Sequence, residues 1–213
     1  MSKNKTYPIC FDGLFRQNIV LTSGLVTAPI IVAATTAERA AILSLSFLMI
    51  SYSTLLICRA IPRKISYTVR IILYSMVASL MFIPTALAMN ILFPDAAPSV
   101  MLYTQILVVN SLILAKTESR FYLIPLSSMA IDSLVYIAGY TIAAFAVGIV
   151  RELLTYGTLF GSHICNVLMP AAKSPFFGFF LLGLYAAACR HYYNRRREKE
   201  RLTDEVVRKG AEG

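Results

Sequence analysis

The sequence predicts an all-α integral membrane protein with six transmembrane helices. Three observations carry that expectation. Of the 213 residues, 57% are hydrophobic and only 15% are charged, whereas a soluble domain carries about a quarter charged residues. The mean hydropathy is +0.67. Six apolar runs approach the roughly 20 residues that a membrane-crossing helix needs, and the charges gather in the connections and at the ends.

The first run extends from about Asn18 to Thr36 and carries Gly24 and Pro29 inside it. A tight turn marked by Glu38 and Arg39 leads to the second, from about Ala40 to Cys58. A basic loop holding Arg59, Pro62, Arg63, Lys64 and Arg70 precedes the third, from about Ile71 to Phe93. Pro94, Asp95 and Pro98 form the short connection to the fourth, roughly Val100 to Ala115. Lys116 to Pro125 lead to the fifth, from about Ser127 to Val150. The longest loop, Arg151 to Ser174, leads to the sixth, from about Pro175 to Cys189.

The fourth run is short. About 16 residues rise about 24 Å, less than a hydrocarbon core of about 30 Å. In the first run, Pro29 removes a backbone donor and disturbs the preceding turn. A short segment and a Gly/Pro-interrupted one, at corresponding places in two three-helix halves, point to two inverted three-helix repeats with broken helices 1 and 4. A kinked helix beside a tilted neighbour is the alternative.

The formal net charge of +9 raises nucleic acid as a partner, but the placement of the charges speaks for membrane topology instead. The N-terminal segment holds three Lys/Arg, the second loop four, the fourth loop two and the tail eight, which makes 17; the opposite side holds Arg39, Arg151 and Lys173. Basic residues flank helices on the cytoplasmic side, so both termini are expected there, in a bacterial cytoplasmic membrane. No cleavable leader is evident, because the first apolar stretch is too long for a signal core. The chain divides into a cytoplasmic segment 1–17, a membrane domain 18–190 and a charged tail 191–213. The tail reads as a helix whose collar of Arg190, Arg195, Arg196 and Arg197 serves as an orientation signal or binds anionic headgroups.

Cys10, Cys58, Cys165 and Cys189 form no C-x-x-C pair, so no zinc site or disulfide framework is expected. His163 beside Cys165 is a weak metal pattern. No nucleotide loop, Ser/His/Asp arrangement or flavin motif is present, and no chemistry of the chain's own is expected.

Asp132 to Gly161 reads DSLVYIAGYTIAAFAVGIVRELLTYGTLFG. Without a gap it resembles the D-G-x-G-M-G-x-G-F-T … G-x-x-R-E-x-L-G-x-G-T-x-F-G pattern of the paired membrane subunits of Rnf/Nqr electron-transport complexes. The matches are Asp132, Gly139, Thr141, Gly148, Arg151, Glu152, Leu154, Gly157, Thr158, Phe160 and Gly161. Val108 to Glu118 is similar to V-V-N-C-x-I-L-G-R-A-E. Asn18, Pro29, Ala33 and Thr35 fall in register with the family's first helix, and Leu168 to Pro170 with the stretch before its last. The resemblance covers about residues 18–190, and the N-in orientation fits the E/D type.

The resemblance implies partners: an inverted-topology six-helix paralogue and the other subunits of such a complex, in the lipid bilayer and without nucleic acid. It also implies a shared [2Fe-2S] cluster, to which each of the paired subunits gives one cysteine from each broken helix. Here those positions are Ala28 and Ser111. Alanine has no ligand atom, and a neutral serine is a poor substitute for a soft thiolate. Family glycines are also replaced, by Ser133, Val135, Ile137 and Ala115, which limits the tightest helix approach.

Charges at or inside a membrane are costly and often functional. Lys116 and Glu118 sit at the cytoplasmic end of the fourth segment, Asp132 lies just inside the fifth, and Arg151 and Glu152 sit at its outer end. Asp132 pairs with Lys116 or Arg120 across the fourth loop, or these are ordinary interfacial ion pairs. Asn110 is placed to cap backbone groups freed at a helix break. The expected function is that of a membrane subunit of an ion-translocating Rnf/Nqr-like oxidoreductase complex without iron–sulfur ligands of its own. The alternatives are a cluster-less scaffold or a small-molecule transporter, for which Asn110, Ser111, Thr22, Ser23 and Thr27 would have to supply the polar midplane.

Overall fold

The computed structural model describes residues 27–62, 64–109, 118 and 125–211. Six helices occur among them: α1 (Thr27–Ala33), α2 (Ala37–Cys58), α3 (Tyr67–Leu92), α4 (Ala97–Ile106), α5 (Leu126–Tyr156) and α6 (Pro175–Ala211). By length and composition α2, α3 and α5 are able to cross a membrane. Their 22, 26 and 31 residues rise about 33, 39 and 46 Å.

α2 and α5 form the centre of the bundle and run antiparallel. Phe47 stacks on Tyr140 with ring centroids 4.1 Å apart. Two turns nearer the start of α2, Gly148 of α5 lies against Ala40, and a Cβ on Gly148 would fall 2.9 Å from Ala40 Cβ and 3.0 Å from the Thr36 carbonyl oxygen. Small residues at such a crossing let the two backbones approach closely. α3 packs on α2 with one side. Its other side carries Ile72, Met76, Leu80, Ile83, Leu87 and Ile91 at three- and four-residue steps, all exposed, an apolar stripe along the whole helix.

Helix ends follow from their residues. Thr36 caps α2, its side-chain oxygen accepting from the Arg39 N–H at 3.2 Å, and Glu38 adds a negative charge to the first turn, where the helix dipole favours it. α5 stops at Gly157, which adopts the left-handed conformation (φ +66°) and donates to the Leu153 carbonyl at 3.1 Å, the usual glycine termination. A two-residue hairpin follows, pairing β1 (Thr158–Leu159) with β2 (Ser162–His163). Phe160 and Gly161 form its turn, with φ +49° and +79°; positive φ at both positions is the twist-matched I′ geometry.

Several boundaries differ from the sequence expectation. α5 continues through Arg151 and Glu152 to Tyr156, because both charges are buried and hydrogen-bonded within the protein rather than solvated at a helix end. The run read as 18–36 leaves the helix at residues 34–36, where a bend separates α1 from α2. The apolar segment 175–189 and the charged tail are one uninterrupted helix to Ala211. In the fourth run, helix ends at Ile106 and a turn occupies 107–109. Asn110, Ser111, Lys116 and Arg120 lie outside the described residues.

Candidate functional site

Two charged clusters lie at opposite ends of the bundle. The first is built on the last turns of α5. Arg151 is fully buried and Glu152 is 2% exposed. The Arg151 guanidinium donates to backbone carbonyls: Nη1 to Ile31 at 2.8 Å and Ala34 at 3.2 Å, Nε to Ala172 at 3.1 Å, and Nη2 to Lys173 at 2.7 Å and Ser174 at 3.3 Å. The first two belong to the C-terminal end of α1. The others end a short 3₁₀ turn, Pro170–Lys173, that leads into α6. The last carbonyls of a helix have no partner within it, and they carry the negative end of its dipole. One buried cation serves both ends.

Glu152 does the converse. Its Oε2 accepts from the Ala37 N–H at 2.7 Å, the first amide of α2. Its Oε1 accepts from the Thr158 hydroxyl at 3.2 Å and the Gly161 N–H at 3.3 Å, tying down the hairpin. Arg39 secures the bend itself through a 2.8 Å bond from Nη1 to the Thr35 hydroxyl. Gly178 lets α6 lie directly on α1, since a Cβ there would sit 2.4 Å from the Ile31 carbonyl oxygen. The cluster therefore fixes four things at once: the α1–α2 bend, the hairpin, the 3₁₀ turn and the start of α6.

The second cluster lies at the end of the bundle where α2 finishes and α3, α5 begin. Arg70 grips Glu118 with two bonds, Nε to Oε1 at 3.0 Å and Nη2 to Oε2 at 2.7 Å. Its Nη1 donates to the Ile65 carbonyl at 2.9 Å, and the Tyr74 hydroxyl donates to Glu118 Oε1 at 2.7 Å. Asp132 and Ser133 are buried in the same half of α5, with the Ser133 hydroxyl donating to the Met129 carbonyl at 2.7 Å. Such fork-on-carboxylate pairing is both strong and directional.

The sequence marks Glu118 as a charge-pair candidate but does not give its partner. Arg70 reads in sequence as an orientation charge of the basic loop, and the long-range pairing has no local signature. The spacing of Arg70 and Tyr74, four apart on one helix face, is the available clue. Arg151 and Glu152 read as charges at an outer helix end. They are instead buried, and Arg151 bonds backbone carbonyls.

Of the two positions at which the resemblance implies cluster ligands, the structure describes only Ala28. Ala28 has no donor atom and is exposed on α1, and Ser111 lies outside the described residues. Among the described residues no group of three or more His, Cys, Asp or Glu side chains is placed to hold a metal ion. Cys58 closes α2 at the Arg70 end, whereas Cys165 lies in the loop at the Arg151 end, so these two thiols are separated by the height of the bundle.

The family model described as "Rnf-Nqr subunit, membrane protein" matches residues 6–185. The chain is similar to the E-type subunit of the ion-translocating oxidoreductase complex of Rhodobacter capsulatus, at 27% identity over 152 residues, 71% of this chain and 63% of that protein. The subunits of the same name from Edwardsiella ictaluri and Yersinia pestis are each 26% identical over 149 residues, 70% of this chain and 63% and 64% of theirs. The chain thus spans somewhat under two thirds of the length of these relatives. The match ends at residue 185, so the charged half of α6 lies beyond it.

Proposed function

Since the chain belongs to the Rnf-Nqr subunit family of membrane proteins, we propose that it is a membrane subunit of an Rnf/Nqr-like, ion-translocating oxidoreductase complex. The observation that carries this reading is the continuous family match over residues 6–185, supported by relatives named as subunits of such a complex. The chain contributes no catalytic residue and no thiolate at Ala28 or Ser111. Its work in the complex is that of a helical membrane body, presented to an inverted-topology paralogue and to the redox-active subunits.

In this reading the chain has six spans in two inverted three-helix repeats, with the first and fourth broken. The turn at 107–109, which ends α4 after ten residues, supports the break in the fourth. At the connection of the first two spans, the buried Arg151 supplies the donors that irregular backbone in a membrane needs. Both termini lie on the cytoplasmic side of a bacterial cytoplasmic membrane. Arg39, Arg151 and Lys173 then belong to the outer end, and Arg59, Lys64, Arg70 and Arg190 to the inner one, as the orientation rule requires.

The test is purification of the chain from its native membrane, with measurement of co-purifying flavin, iron, acid-labile sulfide and the reduced-state electron paramagnetic spectrum. Redox-active partners and no cluster bound between this chain and its paralogue are expected. A cluster at that position would overturn the ligand assignment but leave the subunit reading intact. A chain that purifies without redox partners and moves a small molecule alone would overturn the subunit reading.

A further inference from the structure

Between Thr158 and Ala172 the chain holds no Asp, Glu, Lys or Arg. This segment does not project away from the bundle. After the hairpin it runs back along the end of α5. The Ile164 and Cys165 N–H groups donate to the Gly157 carbonyl at 2.8 and 3.0 Å, and the Met169 N–H donates to the Leu154 carbonyl at 2.8 Å. The carbonyls of Ala172, Lys173 and Ser174 then meet Arg151. From the level of Gly157 to that of Arg151 the descent is about 9 Å along the helix axis.

α2 supplies the scale. Its first residue, Ala37, is bonded to Glu152, and its 22 residues rise about 33 Å, close to a hydrocarbon core of about 30 Å. The level of Arg151 and Glu152 is therefore the edge of that core. The descending segment fills the interfacial zone just beyond it. Its backbone bonds point inward to α5, while Phe160, Ile164, Val167, Leu168 and Met169 point outward, with Phe160 60% and Leu168 70% exposed. The apolar face continues into Phe176 at the start of α6, also exposed.

We propose that this segment is a lipid-contacting surface: Phe160, Ile164 and Leu168 lie among the glycerol and upper acyl-chain groups of the leaflet at the Arg151 end. Three features favour phospholipid as the occupant. The surface lies at the membrane edge by the α2 scale, it holds no carboxylate, ammonium or guanidinium, and it continues into the apolar half of α6. Apolar side chains held at this depth contribute binding in proportion to the area they bury in the interface. The inference rests on the chain's membrane placement alone and is independent of its place in a complex.

The chain has no tryptophan, so Leu168→Trp gives a single fluorescent reporter. The full chain is reconstituted in phosphatidylcholine vesicles, either plain or brominated near the carbonyl end of the acyl chains. A blue-shifted emission that is lost in the brominated vesicles, and is insensitive to aqueous iodide, is expected. Quenching by iodide, or protection from both quenchers, would overturn the proposal. In native membranes a photo-reactive benzoylphenylalanine at position 168 separates lipid from protein. Lipid adducts are expected, whereas a discrete protein adduct would assign the surface to a partner protein and overturn the proposal.

Discussion

Replacing Arg151 with methionine keeps an unbranched apolar stem, shorter than arginine by the guanidinium head, and removes every donor. Five carbonyls, those of Ile31, Ala34, Ala172, Lys173 and Ser174, then lose their partner. A hydrogen bond from a charged donor contributes about 1.5–3 kcal/mol. Three nitrogens serve the five acceptors, and removing the cation also removes the cost of burying it. Each carbonyl left without a donor costs about 1–3 kcal/mol, and relief from burying the cation offsets part of the sum, so the net loss is about 3–5 kcal/mol. For a chain of this size each kcal/mol moves the thermal midpoint by about 2–4 °C, so a fall of about 6–20 °C is expected. With Cys10, Cys165 and Cys189 replaced by serine, Cys58, fully buried at the end of α2, reports the transition through its reaction with a thiol-specific fluorogenic dye in detergent. Arg151→Lys keeps the charge but not the planar fork, and its midpoint falls between the two. A methionine variant within about 2 °C of the parent, below the shift expected for a single kcal/mol, would show that the carbonyls do not depend on the guanidinium.

Glu152→Gln leaves one acceptor oxygen where there were two, so either Ala37 or the Thr158–Gly161 pair loses its bond; a cost of about 1–3 kcal/mol is expected, read as faster amide exchange at Ala37 or at Gly161, and unchanged exchange at both sites would refute it. Gly148→Ala presses a methyl against Ala40 and the Thr36 carbonyl and costs about 1–3 kcal/mol in overpacking. Adding Ala40→Gly recovers part of that loss, and strict additivity of the two substitutions would contradict the close approach. Arg70→Met and Glu118→Gln, taken singly and together, give a coupling of about 0.5–3 kcal/mol in a double-mutant cycle, and a value below that range would mean the fork-shaped pair contributes nothing to stability.

The membrane class is legible because composition and run length are properties of the chain itself. Segments such as Ala37–Cys58 and Tyr67–Leu92 are set by lipid thickness and sequence polarity, and the structure moves their ends by only a few residues. The resemblance likewise rests on local spacing, with Gly148, Arg151, Glu152 and Gly157 in one unbroken stretch. What stays hidden are partners that carry no residue code. Arg151 meets backbone carbonyls, and any residue at 31, 34, 172, 173 or 174 would offer the same oxygen. Glu118 meets Arg70 across 48 positions, a pairing that only the fold brings about. The extent of α5 is underestimated for a related reason. Arg and Glu at its end look like the start of a solvated loop, until the segment that returns along them is seen to bury both.

The order of those two charges has a physical logic. The bend at 34–36 brings the carbonyl end of one helix within three residues of the amide end of the next, so opposite partial charges of about half a unit lie side by side. Neighbouring residues on α5 project about 100° apart and reach different targets. Arg151 takes the carbonyl end of α1, and Glu152 takes the amide end of α2. At the edge of a bilayer, water is scarce and a bend in the backbone exposes groups that need solvation. An adjacent pair of opposite charges on a rigid helix supplies that solvation from within the protein. In this structure the arginine–glutamate step of the motif holds the bend together. The two helix ends need these partners whatever residue stands at position 28, since their carbonyl and amide groups have none within their own helices.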